Sequence, residues 1–132
     1  MFAMKQSRGK IITAPDLNVW PHEYETAKAL AMAGMTVEFI RRSEEYRTTS
    51  ADVIMNGLIW EIKAPESDKA KVIEKNLRKA LHQSKNVIFD ARRMKKLPDM
   101  VIEREVRKWC CELRTIKHLI YVNRSGEVCI IK

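Results

Sequence analysis

The dipeptide Asn56-Gly57 constrains the fold more than any other feature, because it separates two runs of strand-forming residues, 52–55 and 58–63. Asn-Gly is preferred in two-residue type I′ hairpin turns, where both central residues need a positive φ. Such a short turn fixes the register of the two strands and sets Asp52 opposite Glu61. The sequence therefore predicts an antiparallel hairpin near the middle of the chain.

The rest of the chain alternates helical and strand patterns. Helices are predicted where apolar residues recur every three or four positions, and strands where short apolar runs end in turn residues. The predicted helices cover 22–33, 67 or 68 to about 84, and a segment opening at Pro98, and the other strands cover 36–40, 86–90, 118–122 and 128–131. The order αβββαβαββ predicts an α/β fold, a mixed β-sheet flanked by helices.

Length and composition indicate one domain. The chain has 132 residues, of which 45% are hydrophobic and 32% charged, enough for one hydrophobic core. We assign residues 1–132 to a single domain with its core at 20–131, and we expect 1–19 to be a flexible or peripheral segment. The three cysteines lack paired spacing and are expected to be reduced thiols. No stretch approaches the ~18 apolar residues of a membrane span, so none is expected.

The charge balance favours a polyanionic partner. Lys and Arg number 25 against 17 Asp and Glu, a net charge of +8. Nucleic acid is the partner that such a surplus suits, and a merely solubilising surface is the alternative. The candidate phosphate contacts are Lys75 and Lys79 on the long helix, and Arg92 and Arg93 after the strand 86–90. Contacts of this kind neutralise phosphates without reading sequence.

The hairpin also gathers charged side chains on one face. Side chains alternate along a strand, so Asp52, Glu61 and Lys63 emerge on the same side, with the two acidic Cβ atoms roughly 5 Å apart. The two carboxylates repel, so either Lys63 pairs with them or a divalent cation lies between them. Carboxylate oxygens suit Mg²⁺ or Mn²⁺. A solvent-exposed hairpin face that carries these charges without any site is the alternative.

The pattern of Asp52 followed by Glu61-Ile62-Lys63 resembles the PD-(D/E)XK nuclease superfamily. Members commonly carry an acid on the helix before the hairpin, followed by Leu seven residues on and Gly eleven residues on. Glu23, Leu30 and Gly34 match that spacing. The proline usual before the first aspartate is replaced by Ala51, so the name motif is incomplete.

Within that superfamily the chain is most similar to the C-terminal tRNA nuclease domains of CdiA contact-dependent growth inhibition toxins. The resembling stretches are 21–23, 60–65 and 80–88, all in the first two thirds of the chain. The superfamily also tends to present polar groups to nucleic acid from the helix after the lysine. Here that resemblance implies a nucleic-acid contact by Gln83.

The resemblance implies a metal-dependent ribonuclease that hydrolyses tRNA phosphodiester bonds. Asp52, Glu61 and the backbone carbonyl of Ile62 would hold Mg²⁺ or Mn²⁺. Glu23 would complete the acidic cluster, and Lys63 would orient the attacking water or stabilise the transition state. The domain would act in the cytoplasm, delivered there as part of a larger exported protein, and an acidic immunity protein would cover its basic face.

Two other functions stay open at the level of sequence. A DNA-acting member of the superfamily, such as a junction resolvase or a restriction-like nuclease, would use the same residues. A non-catalytic nucleic-acid-binding module would keep the fold, although clustered carboxylates beside phosphate bring no advantage to a pure binder.

Overall fold

The structure is a computed structural model that describes residues 8–40 and 53–132. Within these residues the chain forms seven strands and three helices. The strands are β1 (Ile11–Ile12), β2 (Val37–Phe39), β3 (Val53–Met55), β4 (Leu58–Lys63), β5 (Asn86–Asp90), β6 (His118–Val122) and β7 (Val128–Ile130). The helices are α1 (Pro21–Met32), α2 (Lys71–Ala80) and α3 (Asp99–Glu112).

The seven strands form one mixed sheet in which spatial order follows chain order. The pairs β1–β2, β4–β5 and β5–β6 are parallel, and the other three pairs are antiparallel. The helices supply the three parallel crossovers, which an antiparallel hairpin turn cannot make. The predicted mixed sheet flanked by helices is confirmed, and the predicted order holds from α1 onward. Strand β1, which precedes α1, was not predicted.

The hairpin of β3 and β4 has the predicted turn and register. Asn56 has φ 54° and Gly57 has φ 75°, the left-handed conformations that a type I′ turn requires. Val53 pairs with Trp60, and Met55 pairs with Leu58. The Trp60 indole N–H donates to the Met55 carbonyl at 2.9 Å, which locks the strand ends together.

Alternation along the central strands divides the core between the two faces of the sheet. Ile88 on β5 packs with Ile62, Leu30 and other residues in an apolar cluster on the α1 side. Val87 and Phe89 belong instead to a cluster that includes residues of α2 and α3. We call these the α1-side core and the α2/α3-side core. Helix α1 therefore covers one face of the sheet, and α2 and α3 cover the other.

Helix α2 is shorter than predicted, spanning Lys71–Ala80 rather than 67 or 68 to about 84. Before the helix, the Ser67 hydroxyl accepts the Lys69 N–H at 3.1 Å, forming a local turn that competes with helical geometry. After it, the Ser84 hydroxyl donates to the Ile59 carbonyl at 2.6 Å and draws the chain to β4. Helix α1 ends at the predicted stop, where Gly34 has φ 97°.

Candidate active site

Strand β4 presents two of the predicted site residues to one face. Trp60 and Ile62 are buried in the α1-side core, so Glu61 and Lys63 project to the opposite face. Their register partners on β5, Val87 and Phe89, belong to that same face. Glu61 is only 5% exposed and Lys63 is half-buried. The predicted sharing of one face by Glu61 and Lys63 is confirmed.

The third member of that group, Asp52, lies outside the described residues. Its placement opposite Glu61 stays a prediction. The register is confirmed as far as Val53 opposite Trp60, the pair that precedes it. Residues 61–63 of β4 pair with β5 on the other side.

Helix α1 contributes the buried carboxylate of Glu23. It is 7% exposed and shares a stripe with Thr26, Ala27 and Leu30, the face that α1 turns toward the sheet. Pro21 at the helix start leaves Glu23 in the first turn, where the helix dipole stabilises a negative charge. Glu25, by contrast, is exposed and pairs with Lys28 at 3.2 Å, as expected of a solvated surface charge.

The candidate residues share one end of the sheet. Strands β2, β4, β5 and β6 all run in one direction, and we call the end where they finish the carboxyl edge. Lys63 is the last residue of β4. Helix α1 crosses from β1 to the parallel β2, so it begins at this edge and brings Glu23 there. Open α/β sheets bind ligands outside the carboxyl ends of their strands.

A third buried carboxylate, Asp90, ends β5 at the same edge and was missed by sequence reasoning. It is 2% exposed, and Thr26 donates to its Oδ2 at 2.5 Å. Arg92 donates from Nε to Oδ1 at 3.0 Å and from Nη2 to Oδ2 at 2.8 Å. These bonds raise the pKa of Arg92. An Asp closing a buried strand with Arg two residues on was the available signal.

Arg92 and Arg93, both predicted to contact nucleic acid, have different partners. Besides Asp90, Arg92 Nη2 donates to the Glu25 carbonyl at 2.9 Å, so this side chain ties β5 to α1. Arg93 Nη1 donates to the Ala64 carbonyl at 2.9 Å, directly after Lys63. Its Nη2 lies 3.4 Å from the exposed Glu66 carboxylate. Arg93 thus borders the end of β4, and the nucleic-acid role of both arginines stays a prediction.

The other predicted nucleic-acid contacts lie on or after α2. Lys75 and Lys79 are exposed on the outer face of the helix, which is opposite the buried Ile73 and Leu77. Gln83 lies in the turn after the helix, and its side-chain oxygen is buried. Because the next residue, Ser84, bonds the Ile59 carbonyl, this turn is held against the start of β4.

The donor chemistry at β4 suits a hard divalent cation, but the described residues do not complete a site. Glu61 supplies a carboxylate and Ile62 a backbone carbonyl, both oxygen ligands of the kind Mg²⁺ takes. Glu23 belongs to α1, which covers the opposite face of the sheet. Within residues 8–40 and 53–132, no group of three or more His, Cys, Asp or Glu side chains could hold a metal ion. A metal centre at this position would need a further ligand from outside the described residues, and Asp52 is the one that the sequence predicts.

Comparison with known proteins identifies the family. The family described as the contact-dependent growth inhibition CdiA C-terminal domain matches residues 49–128, more than half of the chain and all of β3 to β6. The chain belongs to this family. The CdiA C-terminal domain described here is therefore a toxin domain of contact-dependent growth inhibition. No curated protein sequence matches it.

A solved structure shares the fold of this CdiA C-terminal domain. It is the CdiA-CT/CdiI toxin and immunity complex from Burkholderia pseudomallei, with a TM-score of 0.70 and 16% sequence identity. The match covers 94% of this chain and 99% of that chain. At such identity the likeness shows a common architecture.

As for membranes, none of the helices in the described residues combines the length and apolar character that spanning requires.

Proposed function

We propose that this CdiA C-terminal domain is a metal-dependent ribonuclease that hydrolyses phosphodiester bonds of tRNA. The observation that carries the proposal is that buried Glu61 and half-buried Lys63 share one face of β4, where this strand reaches the carboxyl edge. An acid and a lysine two residues apart on one strand face are the central part of the PD-(D/E)XK pattern that the sequence resembles.

In the proposed site Asp52, Glu61 and the Ile62 carbonyl would hold Mg²⁺ or Mn²⁺, and Glu23 would complete the acidic cluster from the start of α1. The metal would stabilise negative charge on the phosphoryl group. Lys63 would position the attacking water or donate a hydrogen bond to the phosphoryl oxygens as charge develops on them. Burial of Glu61 strengthens such interactions, because nearby water would otherwise screen them.

The basic surface supports a polyanionic substrate. Lys75 and Lys79 are exposed, and neither forms an ion pair within the described part of the chain. Together with Arg93 they would neutralise backbone phosphates, so binding should weaken steeply as salt increases. An acidic immunity protein that covers these groups would block the substrate. This partner is proposed because the structural relative is a complex of toxin and immunity protein.

The test is incubation of the purified protein with total tRNA and with duplex DNA, each with Mg²⁺ or with EDTA, beside the Lys63→Ala variant. The proposal predicts tRNA cleavage that needs the metal and is lost in the variant. Cleavage of DNA alone would indicate that the same residues form the active site of a DNA-acting nuclease. Salt-sensitive binding without any cleavage would indicate a binding module and contradict the proposal.

A further inference from the structure

A cleft of about 240 Å³ lies at the carboxyl edge beside the proposed active site. One wall comes from the loop after β4, with Glu66, Ser67 and Asp68, and the other comes from the loop after β5, with Arg93, Lys95 and Lys96. Strands β4 and β5 are parallel neighbours. The cleft therefore occupies the crevice outside adjacent strand ends, where α/β sheets bind their ligands.

Three cations on one wall suit an anionic ligand. Lys95 and Lys96 are exposed, and neither forms an ion pair within residues 8–40 and 53–132. Arg93 is anchored differently, since its Nη1 is held by the Ala64 carbonyl at 2.9 Å. That bond fixes the guanidinium directly after Lys63. A planar guanidinium held by one edge is preorganised to bind a phosphate with its remaining donors.

The wall that carries Glu66 and Asp68 would repel an anion, but the contact of Glu66 with Arg93 is weak. Glu66 approaches Arg93 Nη2 at 3.4 Å, with 73% of the Glu66 side chain exposed. Exposed ion pairs of this kind contribute little to stability and exchange readily with solvent. An incoming phosphate would displace the Glu66 carboxylate and leave the bond from Arg93 to the Ala64 carbonyl intact.

We propose that this cleft binds a backbone phosphate of the polynucleotide adjacent to the cleaved one, and that Glu66 competes with it for Arg93. The inference rests on the proposed function and deepens it by assigning a second phosphate position on the Arg93 side of Lys63. Lys95 and Lys96 supply the diffuse positive charge, and Arg93 supplies the directional contact.

Binding can be measured without hydrolysis. Fluorescein-labelled tRNA transcript is titrated in EDTA with protein that carries Lys63→Ala, so the RNA stays intact. In this background Glu66→Gln should lower the dissociation constant about threefold, the range expected from one exposed charge pair. Arg93→Ala should raise it about tenfold. Lys95→Ala with Lys96→Ala should reduce the slope of log K against log salt by about 0.7 to 0.9 per lost phosphate contact.

Matched controls come from the pair Arg107 and Glu103 on α3, which is partly exposed and joined at 2.9 Å. Glu103→Gln makes the same change in net charge as Glu66→Gln, and Arg107→Ala makes the same change as Arg93→Ala. Each cleft variant should change the dissociation constant for tRNA more than its matched control does. The gain from Glu66→Gln should also vanish in the Arg93→Ala background, since the competition needs both partners.

The inference is overturned if Glu66→Gln binds tRNA no more tightly than Glu103→Gln, or if its gain persists without Arg93. If Arg93→Ala does not fold, tRNA binding by Glu66→Gln and by the protein with Lys95→Ala and Lys96→Ala still tests the inference. The two proposals fail separately. Cleavage that depends on Lys63 but is indifferent to Glu66 rejects the cleft alone. The predicted binding changes in a protein that cleaves nothing support the cleft and reject the hydrolysis.

Discussion

Two buried carboxylates at the carboxyl edge, Asp90 and Glu61, have different surroundings. Both oxygens of Asp90 are occupied by Thr26 and Arg92, and the Arg92 amide adds a further bond at 3.0 Å. Glu61 instead shares a strand face with Lys63, the half-buried last residue of β4. The carboxylate of Asp90, whose two oxygens both accept hydrogen bonds from protein donors, thus stabilises the fold. We assign Glu61 to chemistry because it shares a strand face with a lysine two residues on, at the carboxyl edge.

The largest effect is expected at Glu61. Glu61→Gln keeps the shape of the side chain but removes its charge, so tRNA cleavage should fall at least about 100-fold, the loss typical when one charge-stabilising group is removed. The fold should persist, because the substitution leaves no cavity. Single-turnover cleavage together with circular dichroism checks both. A folded Glu61→Gln protein that cleaves tRNA at the normal rate would place the active site elsewhere.

Asp90 should show the opposite behaviour, a loss of stability. Asp90→Ala leaves the guanidinium of Arg92 without its carboxylate partner, which costs about 3 to 5 kcal/mol for a fully buried pair. Because the Arg92 side chain is 28% exposed, water compensates in part, and we expect about 2 to 3 kcal/mol. Urea denaturation measures the change. Thr26→Ser, which keeps the donor hydroxyl, should cost much less, and an equal loss would contradict the assigned bonding.

High pH should weaken the α2/α3-side core. Burial and the hydrogen bond to Asp99 raise the pKa of Tyr121, and burial raises the pKa of Cys110. In the unfolded chain these groups ionise near about 10 and 8.5. The unfolded state therefore loses protons first, and the free energy of unfolding should fall as pH rises above about 8.5. Urea melts at increasing pH measure this, and Tyr121→Phe should flatten the decline above about pH 10.

The smallest effect is expected at Glu25. It lies two residues from Glu23, but it is exposed and its ion pair with Lys28 is exposed on both sides. Glu25→Ala should change the free energy of unfolding by less than about 0.5 kcal/mol and leave cleavage unchanged. Glu23→Gln should reduce cleavage sharply. Equal cleavage rates for Glu25→Ala and Glu23→Gln would contradict the assignment of Glu23 to the acidic cluster.

Local sequence signals predicted most of the fold. The Asn56-Gly57 turn, the strand 86–90 and the strand 118–122 match the structure because backbone conformation and apolar runs are encoded locally. Strand β1 was missed because two residues show no periodicity. Its place in the sheet comes from distant contacts, such as the bond from the Val37 N–H to the Lys10 carbonyl at 2.8 Å.

Part of the site was also predictable from local sequence signals. Strand alternation alone indicated that Glu61 and Lys63 share a face. The local spacing of Asp90 and Arg92 was a signal for their pairing, but the bond from Thr26 to Asp90 joins residues 64 positions apart, which no local pattern could reveal. Arg92 and Arg93 look equivalent in sequence, yet one holds a buried carboxylate and the other holds the end of β4. Only the tertiary fold distinguishes the two arginines.

Titration of Mn²⁺ by calorimetry tests the central claim most directly, because it measures the metal site without requiring a substrate. The wild-type protein should bind one Mn²⁺ ion, and Glu61→Gln should lose that binding while remaining folded. Glu25→Ala, which makes the same change in charge at an exposed position, should bind as the wild type does. Unchanged Mn²⁺ binding by Glu61→Gln would contradict the assignment of Glu61 as a metal ligand.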